Sequence, residues 1–300
     1  MSQTNPHPSG LDSGRIAGQA SWTKVAIAAP ILAAILGALY WPILAGLVGQ
    51  WWDDANYTHG FLVPLFSGFL VWRERARLAA LVPDGSLPGL PVLIGGVGIL
   101  ILGSIGAENF LMRSSLIIVL GGLVLFHLGT SVLRIVFFPL AFLVFMVPLP
   151  GVVFYAVTFP LQRLAAEHAA WTLDLLGVPV LLDGNVIHLS ELTLGVTEAC
   201  SGIRSLISLL AGAVAWAYLM LPLGLIAVAF VLSAIPITIF ANAARIVVTG
   251  LIGQWLGVEY ASGVFHEFAG LAVYTFALIC IGGVYTLARA FVRPAAESQK

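Results

Sequence analysis

Four short stretches carry side chains that an apolar chain has little reason to keep: Thr197-Glu198-Ala-Cys200-Ser201-Gly-Ile-Arg204-Ser205, Asn242-Ala-Ala-Arg245, His266-Glu267 and Tyr57-Thr-His59-Gly60. Cys200 stands just before a predicted helix start, where free backbone N–H groups and the helix dipole favour a thiolate. A histidine within reach accepts the thiol proton and later returns one to a leaving amine; His266 is the candidate. Arg245, with five donors and a permanent charge, suits an oxyanion, a substrate carboxylate or the thiolate itself. Asn242 and Arg245 are three residues apart and share a helix face. The ordinary alternative for a cysteine is a small buried hydrophobe, and that is the reading of Cys280, which lies among Leu, Ile and Gly. Arg204 either serves the site or snorkels to the headgroups. His127 and His188 read as structural.

Other chemistries lose their signatures. His266-Glu267-Phe-Ala-Gly270 begins like a zinc-protease motif, but Gly270 replaces the second histidine. Two cysteines exclude a disulfide framework and a cysteine-rich metal centre. There is no G-x-S-x-G elbow, Walker loop or dinucleotide fingerprint. No metal and no cofactor are expected, and a net charge of -1 gives no global field toward nucleic acid.

The elements that position these residues are membrane helices. The chain is 60% hydrophobic and 9% charged, against about 25% charged in soluble proteins. Scanning for runs of about 20 apolar residues predicts an all-α polytopic membrane protein with about eight transmembrane helices. They lie near residues 25–48, 60–72, 90–106, 114–129, 135–149, 203–220, 224–250 and 269–288, the seventh long enough to kink at Pro236. Residues 1–24 read as a disordered cytoplasmic tail, 25–290 as one integral membrane catalytic domain and 291–300 as a second cytoplasmic tail.

Loop charges set the orientation. With both termini cytoplasmic, Arg73, Arg75, Arg77, Arg134, Arg289 and Arg293 fall inside, and Arg113, Arg163, Arg204 and Arg245 remain outside. The four polar stretches then lie on the outer side at similar depth. The long interruption at 150–200 is also outside. Its first half, 159–177, sets Leu161, Leu164, Ala165, Trp171, Leu175 and Leu176 against Gln162, Arg163, Glu167, His168 and Asp174, as in an amphipathic interfacial helix. The second half predicts a short hairpin around Asp183-Gly184-Asn185. Glycines 95, 96, 98, 121 and 122 suggest close helix packing.

Taken in order, Glu198-Ala-Cys200-Ser-Gly-Ile-Arg204-Ser, Asn242-x-x-Arg245-Ile and His266 before a final span resemble the exosortase/archaeosortase family of multi-pass membrane enzymes. Tyr57-Thr-His-Gly60 followed by Pro64 and a basic turn is similar to the family's N-terminal motif. Gly177-Val-Pro-Val and Gly184-Asn-Val-Ile-His-Leu resemble its segment before the cysteine, so the likeness covers roughly residues 40–290. The resemblance implies a cysteine peptidase or transpeptidase in the bacterial inner membrane, with its active site on the periplasmic side. Its substrates would be exported proteins with a C-terminal sorting signal: a Pro-Glu-Pro-type motif, a transmembrane helix and a basic tail. Partners would be those signals, membrane lipid and exopolysaccharide-assembly proteins. The resemblance makes Cys200 the nucleophile, Arg245 the essential arginine and His266 the third catalytic position, with Glu198, Ser201, Arg204, Asn242, Tyr57 and His59 in support. Hydrolysis and transpeptidation stay open, as does whether His266 is a base or only orients the thiolate. Two other classes compete. A small-molecule transporter would place Arg245 and Asn242 on a midplane path, and a non-catalytic envelope-assembly protein would leave the polar stretches unexplained.

Overall fold

The computed structural model describes the backbone of residues 11–196, 202–257, 259 and 264–297, and the side chains of 22, 25–196, 202–257, 259 and 270–291. By internal packing the chain divides into two compact units, Met1–Pro150 and Gly151–Lys300.

The first unit holds α1 (Leu11–Asp53), a 3-10 turn (Thr58–Phe61), α2 (Leu62–Arg73), α3 (Arg75–Ala79), α4 (Gly89–Ile105) and α5 (Asn109–Phe142). A second 3-10 turn, Leu143–Met146, closes it. Helix α1 begins well before its apolar run. From Trp22 to Trp51 it rises about 43 Å, close to a bilayer with its headgroups. Each end is held by an indole: Trp22 Nε1 donates to the Leu81 carbonyl and Trp51 Nε1 to the Met146 carbonyl, both at 2.9 Å. Midway, the Tyr40 hydroxyl donates to Ser115 Oγ at 2.9 Å, because Ser115 spends its own proton on the Met112 carbonyl.

Helix α5 is broken at Gly129, whose φ of 86° and ψ of 179° lie outside the helical region. Only glycine adopts that backbone cheaply, and the Asp84 carbonyl fills the space a Cβ would need. The two arms double back on each other. Adjacent residues of α1 show it: Gln50 accepts from Arg113 Nη1 at 2.6 Å, while Trp51 reaches Met146. A straight helix would separate positions 113 and 146 by about 50 Å, far beyond what two side chains span.

The first arm packs antiparallel on α4 by close backbone approach. A Cβ on Gly96 would meet Val119 Cγ2 at 2.7 Å, one on Gly103 would meet the Met112 amide at 2.9 Å, and one on Gly122 would meet the Leu93 amide at 2.9 Å. Gly89, against Phe126, continues the seven-residue spacing. Apolar side chains gain little from each other in lipid, so such contact carries helix association. Of the five glycines expected to pack, 96 and 122 do; 95, 98 and 121 face open space.

The second unit holds α6 (Gly151–Leu175), β1 (Leu181–Asp183), β2 (Val186–His188), β3 (Thr193–Gly195), α7 (Ile203–Met220), α8 (Leu225–Leu232), α9 (Ala234–Trp255) and α10 (Val264–Glu297). The expected hairpin is present. Asp183 pairs with Val186 across a two-residue turn that Gly184 enters at φ 61°, and β3 adds a third antiparallel strand. Helix α6 starts earlier than predicted, at Gly151. Ala165, Ala166, Ala169 and Leu173 are buried, whereas Leu164, Trp171, Leu175 and Leu176 are exposed. Small residues bring α6 close to α9 and the sheet, where Ile187, Leu189, Val196, Ile246 and Val247 complete one core. A second core joins α7 to α10 through Leu209, Ala213, Phe230, Ala277 and Ile281. Helix α8 meets α9 at Ser233, three residues before Pro236, where proline removes a helical donor.

The architecture is an all-α multi-pass membrane protein with a small three-stranded sheet. Among the described residues, five helices are long and apolar enough to cross a membrane: Val25–Asp53, Asn109–Met146, Ile203–Met220, Leu225–Trp255 and Gly270–Phe291. That count falls short of eight for three reasons. Helix α2 has only 12 residues, α4 has 17, and the expected spans at 114–129 and 135–149 share one continuous stretch broken at Gly129.

Candidate active site

Val196, buried at the end of β3, donates its amide to the Asn185 carbonyl and accepts from Asn185 Nδ2, both at 2.9 Å. It packs in the same core as Ile246 and Val247 of α9. Six residues later the chain returns to that helix. Gly202 caps α7 at φ 78°, and a Cβ there would lie 3.2 Å from both Cβ and Cγ of Asn242. Val196 and Gly202, the flanks of 197–201, therefore both lie against residues 242–247 of α9.

Asn242 is 4% exposed. Arg245, one turn along the same face, is half-buried. Its guanidinium runs beside α10, with Cζ and Nη2 3.9 Å from where a Cβ on Gly270 would stand. His266 occupies the helical position one turn before Gly270. Arg204, in the first turn of α7, is exposed. Glu198, Cys200, Ser201 and the His266 side chain lie outside the described residues. Of the sequence-derived set, the second unit thus brings Asn242, Arg245 and the two flanks of the cysteine stretch together. Cys280 is half-buried in α10.

Tyr57 and His59 belong to the first unit. Tyr57 is buried, and the His59 ring nitrogen Nε2 lies 3.2 Å from the Phe145 carbonyl. Burial holds the His59 pKa below its ordinary value, against the opposing pull of the Phe145 and Asn56 carbonyls. The neutral ring then donates from Nε2. Gly60 has no room for a side chain because the Trp51 indole lies on it. The reason for this clamp is local: prolines at 148 and 150 supply no N–H to a helix end. His59 and Trp51 donate instead to the adjacent carbonyls of Phe145 and Met146.

Two positions escaped the sequence reading. Asn185 ties the hairpin turn to Val196; the only hint was its place in the Gly184-Asn-Val-Ile-His-Leu stretch. Arg113 is 7% exposed and bonded to Gln50, whereas the charge count had only assigned it to the outer side. Its position five residues into a long apolar run was the available signal.

No curated protein and no solved structure matches the chain. The family model described as transmembrane exosortase matches residues 51–283, from the Trp51 clamp through the cysteine stretch and both arginine and histidine motifs into α10. That match covers well over half of the sequence, and the chain belongs to the transmembrane exosortase family, membrane enzymes that process protein sorting signals.

Proposed function

We propose that the protein is a cysteine protease or transpeptidase of the bacterial inner membrane that cuts exported proteins beside a C-terminal sorting signal on the outer face. The observation that supports this is that Val196 and Gly202, which flank residues 197–201, both lie against α9, the helix that carries Arg245. Connectivity keeps the Cys200 Cα within about 7 Å of Gly202. His266 stands one helical turn, about 6 Å, ahead of the Gly270 contact with Arg245.

In this reading His266 takes the Cys200 proton and the thiolate attacks the scissile carbonyl. Arg245 stabilises the oxyanion, a contribution worth about 2.7–4 kcal/mol for a single donor in related chemistry. Collapse breaks the C–N bond, His266 protonates the leaving amine, and a thioester remains on Cys200. Water or an acceptor amine then releases the product. Asn242 holds the α7 entry, Asn185 the strand before it, and exposed Arg204 is free of burial cost to meet the carboxylate of a Pro-Glu-Pro-type motif. Glu198 and Ser201 flank the nucleophile. Tyr57 and His59 brace the first unit.

The two arms of α5, together with α1, α2, α4, α7, α8–α9 and α10, make eight passes. An even number keeps both termini on the cytoplasmic side, with Arg73, Arg75 and Arg77 inside as loop charge requires.

The test is a secreted reporter carrying a candidate signal, co-expressed with parent, Cys200→Ala or Arg245→Lys and followed by gel shift. Cys200→Ala is expected to abolish processing. Arg245→Lys should reduce it at least tenfold, since lysine keeps the charge but not the planar fork. Equal processing by Cys200→Ala and parent would overturn the nucleophile assignment.

A further inference from the structure

The first unit contains a cavity that the proposed chemistry does not use. It measures about 680 Å³. Its walls are Val71 of α2 with Val132, Val136 and Leu140 of the second α5 arm, spaced by four along one helix face. The lining is apolar except for Arg75, which has Trp22 and Trp72 beside it among the lining residues; Trp22 is fixed by its bond to the Leu81 carbonyl. The Arg75 guanidinium carbon sits 4.2 Å from the Trp72 ring centroid, with Nη1 donating to the Trp72 carbonyl at 3.0 Å. Arg75 therefore stands pre-positioned, with further donors to spend. Arg73 and Arg77 flank it on the exposed side, and Glu74 pairs with Arg77 at 2.9 Å.

We infer that this cavity is a binding site for one anionic glycerophospholipid, its acyl chain against the valine face and its phosphate at Arg75. Tryptophans mark headgroup depth, and Trp22 and Trp72 beside Arg75 put a phosphate level with the guanidinium and hydrocarbon below it. A substrate's basic tail would meet like charge there. Charge complementarity selects an anionic headgroup over a zwitterionic one by about fivefold per arginine.

The full chain in nanodiscs of 1:1 phosphatidylglycerol and phosphatidylcholine, released for native mass spectrometry, tests this. The parent should retain one phosphatidylglycerol in at least fivefold excess over phosphatidylcholine. Arg75→Gln, an exposed change that leaves the helices intact, should remove that preference, and Val71→Trp should remove the bound lipid altogether by filling the cavity. Glycerol 3-phosphate, a headgroup without chains, should not compete. Equal retention of the two lipids by the parent, an unchanged preference in Arg75→Gln, or competition by glycerol 3-phosphate would each overturn the assignment. None of these outcomes depends on Cys200.

Discussion

Replacing Gly202 by alanine perturbs the site without touching a reacting atom. Two costs add. A φ of 78° places an L residue in the left-handed region, at about 1–2 kcal/mol. The new methyl would also stand 3.2 Å from Asn242 Cβ and Cγ, so α7 and α9 must separate by a few tenths of an ångström. The movement falls at the end of the stretch that carries Cys200. Misplacement on an ångström scale can lower a rate about 100-fold, so a shift of a few tenths should lower processing by about tenfold. The assay pairs reporter processing with alkylation of Cys200 by a membrane-impermeant maleimide, in a Cys280→Ser background. Both should slow in Gly202→Ala. Gly212→Ala, on the same helix where a Cβ meets nothing within 4 Å, should leave both unchanged. If Gly202→Ala processes and alkylates like the parent, the left-handed entry and its contact with Asn242 are wrong. If it loses processing but alkylates normally, the turn is sound and Cys200 is not the nucleophile.

Three further outcomes follow from the first unit. Gly96→Ala should lower the thermal midpoint in detergent, because its methyl meets Val119 at 2.7 Å, while the neighbouring Gly95→Ala should hold or raise it, since its Cβ is in open space. Gln50→Leu should cost about 1.5–3 kcal/mol by removing the oxygen that a buried guanidinium uses; Gln50→Leu with Arg113→Met should recover part of this in a double-mutant cycle. His59 titrates below its ordinary range in the folded chain, so the unfolded chain binds more protons just below pH 6.5. Stability should then be complete above that pH and decline as pH falls toward the folded pKa. His59→Gln, which keeps a donor, should flatten the decline, as read by intrinsic fluorescence melts from pH 5 to 7.5.

What the sequence could disclose depended on the physics behind each feature. Membrane helices were legible because a charge or a polar run is costly in hydrocarbon, so apolar length alone marks a span. The hairpin was legible because Asp183-Gly184-Asn185 needs a positive φ at glycine. The doubling back of α5 was hidden. Gly129 lies in the ten-residue run from Gly121 to Thr130 with other glycines nearby, and only the Asp84 carbonyl pressed against it distinguishes it from Gly121. The packing of α6 was not legible either: apolar periodicity marked an interfacial face, whereas the contact with α9 is made by small residues such as Ala165 and Ala169, with Leu164 and Trp171 left exposed. Asn242 and Arg245 stood out because polar residues inside a span demand a reason; Asn185 did not, because a polar residue in a turn is ordinary.

The contacts that assemble the second unit and those that would set its chemistry are largely the same. In lipid, α7, α9 and α10 gain little by exchanging apolar neighbours, so their association rests on close approach and polar pairing. Gly202 on Asn242 brings α7 to α9, and Gly270 beside Arg245 brings α9 to α10. A methyl at Gly270 would stand 3.9 Å from the guanidinium, ordinary contact that α10 can accept without moving. Gly270→Ala should therefore fold and process normally. A larger Gly270→Leu must displace the Arg245 fork and should fail in catalysis before it fails in stability. That order separates this site from a transporter path, where a bulky residue beside Arg245 would block passage but leave reporter processing with no reason to change.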